Sequence, residues 1–525
     1  MIPYHDGDII AAKSGMITMT IAARIGAFFS KHKVIVLLAF VILLVRLLFI
    51  GLLGLMPQDA YYYFYGEHLA LSYYDHPPAI AYILRFFTFI FGKKVFVLKL
   101  ADTVVTFLTI ISFYKLSRLF LSYHVAQKAL ILLFSTLMIT LLSLVSTPDV
   151  PLLLCWSLSL IVLYHAVFLQ QRMYWILAGL MMGLSFDSKY TGIFLPIGII
   201  LFLLLSKQYR KLLLSPWLWL GVLVFIITIS PVIIWNVQNN FASFRFQSAS
   251  RMESMGGIQI SPLNFLGVVG HQSAILMPVL LFAIFYFSYK FLKKYLVKRS
   301  HISSQQLFLL CFFIPVFFGF FTISFIYWVK LNWLMPAYIT GIILISKYFN
   351  EKWIKYQLVF SIAVHLIMAV EVLLYPLAIK SDDTWMGWDI LAGKVALLEN
   401  KYKGAFVFSA DDYKTSAILN FYMDDMIYSR NVIGEPALQF DFIGTDLNAL
   451  KGKDALFINS IPNFKNDRKE NQYPPSLNNF FANITELEPI LIKSGDQTVR
   501  KFLVFYCKNY YGGRNKNIQP VVKGF

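Results

Sequence analysis

The stretch from Pro57 to Pro78 concentrates residue types that can move a proton. Asp59, Glu67, His68, Asp75 and His76 stand there among Tyr61, Tyr62, Tyr63, Tyr65, Tyr73, Tyr74 and, just beyond, Tyr82. A carboxylate near a membrane surface can take the proton of a hydroxyl as that hydroxyl attacks. Asp59 is placed for this, two residues after Pro57. It is equally placed to stabilise the start of a helix through the helix dipole. In Asp75-His76-Pro77-Pro78, an Asx-turn accounts for Asp75 without chemistry. His76 can donate to a phosphate or orient Asp59. On position alone these alternatives stay open.

Further polar residues stand at the ends of apolar runs. Asp149 follows Pro148 at the head of one, where it either caps a helix or faces a site. Lys189 in SFDSKYTGIF, Lys330 in VKLNW, and Arg245 and Arg251 in a longer polar loop each have two uses. They can anchor the chain at the interface, or steady the negative charge of a departing phosphate. The sequence has no Gly-rich phosphate loop, no internal repeat and no Cys/His metal spacing.

The elements that must position these residues are membrane helices. The 525 residues are 58% hydrophobic and 14% charged, with a mean hydropathy of +0.64. Globular chains carry about 25% charged residues. Apolar runs fall at 34–55, 95–114, 129–146, 150–169, 173–187, 190–206, 217–236, 264–289, 306–328, 332–347 and 354–377. They predict a mostly α, polytopic bundle of about eleven spans, with 173–187 short for the ~20 residues a bilayer needs. The net charge of +18 then reads as Lys and Arg held in cytoplasmic loops near membrane lipid, not as a nucleic-acid surface. Cys155, Cys311 and Cys507 predict no disulfide framework, and no cleavable signal peptide is evident.

With residues 1–33 in the cytoplasm, each predicted cytoplasmic loop is basic: Lys115, Arg118 and Lys128; Arg172; Lys207, Arg210 and Lys211; Lys290 to Arg299; Lys347, Lys352 and Lys355. The opposite side receives 56–94, Ser146 to Asp149, Asp187 to Tyr190, 237–263 and Val329 to Trp333. Within 56–94, two interfacial helices are expected, the second over Ala79 to Phe91. The transmembrane domain is expected to span 34–379, with 237–263 a flexible outer loop. A small α/β domain is expected over 380–525, with strands at 404–409, 455–459 and 500–507 and a helix at 411–423.

These motifs resemble the integral-membrane glycosyltransferases of the GT-C superfamily. The resemblance lies in D-x-x-Y-Y at Asp59, Y-x-D-H-P-P, T-P-D-x-P at Thr147 to Pro151, S-K-Y-T-G at Ser188 to Gly192, and K-x-N-W-x-x-P-A-Y at Lys330 to Tyr338. It covers about residues 30–345 and points to the branch with the lipid A aminoarabinose transferases, protein O-mannosyltransferases and polyprenyl-phosphate-mannose glycosyltransferases. It implies a sugar donor on a polyprenyl phosphate, usually undecaprenyl phosphate. The acceptor would be lipid A or another envelope molecule, attacked with inversion on the periplasmic face of a bacterial inner membrane. It implies Asp59 as the catalytic acid-base position. His76, Lys189, Tyr190, Lys330 and Arg245 become candidates for the donor phosphate, and Tyr62, Asp75 and Asp149 for the polar cavity. His76 stands where the aminoarabinose transferases have a Lys. Ala60 stands where many relatives have a second acid, which weakens a metal site, and such donors demand no cofactor. A protein acceptor is the alternative, and a polyprenyl-phosphate-sugar transporter the rival class. Asp59→Ala and Asp59→Asn are both expected to keep the fold and abolish transfer.

Overall fold

The computed structural model describes residues 43–250, 260–294, 302–377, 379–470 and 472–513. The chain divides into two compact units, Met1–Leu52 and Leu53–Phe525. In the first, residues 43–50 are helical, and the rest of the expected span 34–55 lies mainly outside the described residues.

In the larger unit the apolar runs become helices. They are α1 (Pro57–Glu67), α2 (Ala79–Phe91), α3 (Val95–Phe120), α4 (Tyr123–Phe134), α5 (Leu137–Leu144), α6 (Asp149–Val167), α7 (Tyr174–Ser188) and α8 (Phe194–Leu205). Next come α9 (Pro216–Gln238), α10 (Pro262–Leu276), α11 (Pro278–Leu292), α12 (Ser304–Ile323), α13 (Met335–Ile345) and α14 (Glu351–Leu374). Among the described residues five of these are long and apolar enough to cross a membrane: α3, α6, α9, α12 and α14. Two expected spans are broken. Helices α4 and α5 meet at 58°, and α10 and α11 at 114°. The second break falls at Met277, whose φ of 66° turns the chain before Pro278. The 264–289 run is therefore two helices rather than one straight span. Helix α13 has only 11 residues, all buried, and spans roughly 17 Å at 1.5 Å per residue.

Helices α7 and α9 pack through glycine. A Cβ at Gly179 would lie 2.0 Å from the carbonyl oxygen of Gly221, and one at Gly221 would lie 2.4 Å from that of Trp175. The obstructing atoms are backbone, so neither helix can yield without moving apart. Gly179→Leu is expected to lower the unfolding temperature in detergent clearly, because overpacking costs about 1–3 kcal/mol.

The first outer loop departs from expectation in one respect. Helix α2 is amphipathic, with Phe86, Phe89, Ile90 and Phe91 exposed, as an interfacial helix requires. Helix α1 is instead buried along almost its whole length, from Asp59 to Gly66. Its tyrosines face protein on every side because the C-terminal domain covers them.

That domain holds α15 (Trp388–Lys401), α16 (Lys414–Tyr422) and a five-stranded sheet. The strands are β1 (Phe406–Ser409), β2 (Ala455–Ser460), β3 (Phe481–Glu486), β4 (Ile490–Ser494) and β5 (Gln497–Tyr510). Strand β1 runs parallel to β2, with Phe406 opposite Ala455. Strand β2 is antiparallel to β5, with Phe457 opposite Phe505. The long β5 carries β3 and β4 in succession on its other edge. The parallel pair needs a crossover, and α16 lies in it. The expected strands and the 411–423 helix are present. Helix α15 and strands β3 and β4 were not expected.

Candidate active site

Asp59 sits in the first turn of α1 and is fully buried. Its Oδ2 accepts from the backbone N–H of Met56 at 2.8 Å, which closes the helix start as a capping residue does. Its Oδ1 accepts from the N–H of Ser146 at 2.7 Å. The Lys99 ammonium, itself 0% exposed, forms an ion pair with Oδ2 and also donates to the carbonyl of Leu144. The Ser146 hydroxyl donates to Asp102 at 2.6 Å. Asp59 therefore ties α1 to α3 and to the turn between α5 and α6.

Three residues beyond Ser146, that turn delivers Asp149. Its carboxylate accepts from Lys189 Nζ at 2.8 and 3.0 Å and from the Asn332 side chain at 2.5 Å. Asp149 and Lys189 are 1% and 4% exposed. Next to Lys189, the Tyr190 hydroxyl meets the Ser243 hydroxyl at 2.6 Å.

Asp75 is half-buried and accepts from the phenols of Tyr61 at 3.2 Å and Tyr65. Gln247 donates to its backbone carbonyl at 2.5 Å. The Tyr62 ring lies 6.0 Å from the His76 ring. Burial, then the nearby Asp75 charge, push the Tyr61 and Tyr62 phenols well above their ordinary range. Both therefore stay neutral hydrogen-bond donors at any physiological pH.

The roof of this cluster comes from the C-terminal domain. The Tyr413 ring stacks on Tyr61 at 4.1 Å, Phe440 stacks on Phe64 at 4.4 Å, and Phe442 stacks on Tyr74 at 5.1 Å. The Gln439 side chain accepts from the Tyr74 N–H at 2.8 Å, and its own N–H donates to the Tyr61 hydroxyl at 3.3 Å. Tyr413→Ala is expected to cut transfer about tenfold, equivalent to ~1.4 kcal/mol. The ring stack alone is worth roughly 0.5–1.5 kcal/mol. Initial transfer rates against wild type check this.

Asp411, beside the roof, gives a pH dependence. Burial pushes its carboxyl up to about 7, against the hydrogen bonds it accepts from Thr415 and Ser409. A carboxyl raised on folding adds stability below its unfolded value near 4, and that stability is lost as pH rises through about 7. The unfolding temperature is expected to fall between pH 4 and 7 and to fall less in Asp411→Asn.

The residues singled out from sequence come together unevenly. Tyr62, Asp75, His76, Asp149, Lys189 and Tyr190 lie on segments that meet at one end of the bundle. Asp59 belongs to that end through Ser146, but its carboxylate faces Lys99. Arg245 and Lys330 are exposed; Arg245 ends the one-turn helix Ala242–Arg245. Arg251 and most of the 237–263 loop's second half lie outside the described residues. Among the described residues no group of three or more His, Cys, Asp or Glu could hold a metal ion. Sequence reasoning missed Lys99, Asp102, Tyr413 and Gln439. For the first two the signal was present, since a charge inside a membrane span marks function by default. For the last two no local pattern existed.

Residues 75–235 match the family model described as dolichyl-phosphate-mannose-protein mannosyltransferase. A lipid A galacturonosyltransferase, RgtD of Rhizobium johnstonii, is 23% identical over 355 residues, which are 66% of this chain and 71% of that protein. The crystal structure of ArnT from Cupriavidus metallidurans bound to undecaprenyl phosphate aligns over 90% of this chain and 97% of its own, with a TM-score of 0.58 at 14% identity. Its apo form aligns over 91% and 98% with the same score. At that identity the likeness is one of fold. The family match and the curated relative mark a glycosyltransferase, on a helical multi-pass membrane fold. The chain shares its fold with the ArnT structures and carries the family match over residues 75–235.

Proposed function

We propose that the chain transfers a sugar from a polyprenyl-phosphate carrier, undecaprenyl phosphate in a bacterium, to lipid A or another lipopolysaccharide component. The transfer takes place on the periplasmic face of the inner membrane and inverts the anomeric carbon. The name of the 23% identical relative supports the acceptor, and the carrier bound in the fold relative supports the donor. The observation that carries the reading is the gathering of Asp59, Asp75, Asp149, Lys189 and Tyr190 at one end of the bundle.

In this reading Asp59 takes the proton of the attacking acceptor hydroxyl. Lys189 offers Asp149 two of its hydrogen bonds and has a third N–H for a phosphate oxygen. Tyr190 and His76 donate to the same phosphate, and the exposed Lys330 and Arg245 draw the anionic lipid toward it. Stabilising the leaving phosphate with fixed cations lowers the barrier most where water is excluded. Tyr62 and Asp75 line the sugar's side of the cavity. Because Asp75 is a second carboxylate at the site, the roles need separating. Asp59→Asn is expected to abolish transfer and Asp75→Asn to slow it, and the reverse result would move the base to Asp75.

No metal or cofactor takes part in this reading, so a chelator leaves the rate unchanged. The deciding experiment is mass spectrometry of lipid A from cells with the gene, without it, and with the Asp59→Asn form. A sugar-sized mass increment that requires the intact gene supports the reading. The family model's description favours a second reading, transfer to protein. Unaltered lipid A together with lost envelope-protein glycans would establish it instead.

A further inference from the structure

The buried polar cluster behind Asp59 goes beyond the residues named so far. Lys99 lies in the second turn of α3, inside a helix long and apolar enough to span a membrane. A lysine near the membrane surface ordinarily extends its stem to reach water. Lys99 is instead fully buried, and its ammonium is spent inside the protein. It pairs with Asp59, donates to Leu144 O, and lies 6.0 Å from the ring centre of Trp385. Trp385 belongs to the segment that leads into the C-terminal domain.

Asp102 follows one turn later on the same helix and is also 0% exposed. Ser146 bridges the two acids, giving its N–H to Asp59 and its hydroxyl to Asp102. The second Asp102 oxygen, Oδ1, is buried without a hydrogen-bond partner. Two carboxyl groups and one ammonium thus share one buried compartment, where an unpaired charge is costly.

We infer that Lys99 is the positioning residue for the reacting carboxylate. Its ammonium aims the Asp59 carboxylate, and through Leu144 it locks the turn that presents Asp149 to Lys189. The inference rests on the reading of Asp59 as the base. It assigns Lys99 no contact with substrate, so its loss acts on the chemical step rather than on binding.

The test uses the purified full chain in nanodiscs. Lipid A is the varied acceptor, and the polyprenyl-phosphate lipids extracted from the host's membranes are the donor pool. Product is read by mass spectrometry, and retention of undecaprenyl phosphate serves as the folding control. Lys99→Met is expected to lower kcat by about 100-fold or more, with KM for lipid A within about threefold of wild type. Lys99→Arg restores kcat to within about tenfold, because the charge returns with a different shape. Asp102→Asn in the Lys99→Met background is expected to regain about tenfold in kcat, since Asp59 then no longer shares its compartment with a second carboxyl group. A merely structural lysine predicts no such recovery.

If Lys99→Met fails to fold, the arginine form and the double variant still decide the matter. The inference falls if Lys99→Met keeps kcat within threefold, if the change is confined to KM, or if neither restoring variant recovers activity. Full transfer by Asp59→Asn would sink the reading of Asp59 itself. An inactive Asp59→Asn beside a fully active Lys99→Met would sink only the inference.

Discussion

Asp59→Ala is expected to lose about 3–5 kcal/mol of stability along with all transfer, because it strands a buried lysine. Lys99 is fully enclosed, and Asp59 is its counter-ion. The alanine also leaves the N–H groups of Met56 and Ser146 without the acceptor they share. From sequence, alanine was expected to keep the fold; the burial of Lys99 against Asp59 predicts a loss of stability instead. Asp59→Asn is the milder change. Its amide oxygen still accepts one or two of the three donors, and its NH2 group opposes the remainder, at about 1–3 kcal/mol for an unsatisfied buried donor. The expected order of unfolding temperature in detergent is wild type, then Asn, then Ala, with transfer abolished in both variants. An alanine form as stable as wild type would mean that the Lys99 pair does not hold this part of the fold.

Lys189→Met is expected to reduce transfer by about 100-fold or more, the scale of losing one fixed charge at a developing anion. The methionine keeps the length of the stem but leaves Asp149, 1% exposed, with Asn332 as its remaining side-chain donor among the contacts that define the site. Two effects then act together. A buried carboxylate loses its cation, and a donor phosphate meets an uncompensated negative charge where a positive one stood. Retention of undecaprenyl phosphate through purification, read by mass spectrometry, is expected to fall in parallel. Lys330→Ala and Arg245→Ala remove exposed charges and are expected to cost less than about tenfold each, with the loss shrinking in high salt as screening increases. If Lys189→Met transferred normally while Lys330→Ala did not, the phosphate would have to be placed at the rim.

The local signals were legible to different degrees. Asp149 and Lys189 stood out because each breaks an apolar pattern beside a Pro or at a helix end. Pro57 and Asp59 marked the start of α1, as Pro in the first turn and an acid near the dipole do. The apolar runs named the helices because a chain in hydrocarbon must satisfy its backbone within each segment. Run length did not reveal the 114° break at Met277: a left-handed φ before Pro278 leaves the apolar pattern unchanged. Strands β3 and β4 were missed for a related reason. Strand β3 exposes Ala482, Asn483 and Thr485 and so lacks a buried-strand pattern, and β4 has only five residues, too short a run to stand out.

By itself the sequence determined that this is a membrane-embedded, helical protein with a polar, tyrosine-rich outer loop. Composition and periodicity are properties of each segment and survive without neighbours. Only the tertiary structure decided what those residues touch. It turned Asp59 toward Lys99, joined Asp149 to Lys189 across 40 residues of chain, and laid Tyr413 on Tyr61 across more than 300. Ion pairs and ring stacks depend on separation in space, and separation in space between distant segments is written in no local pattern.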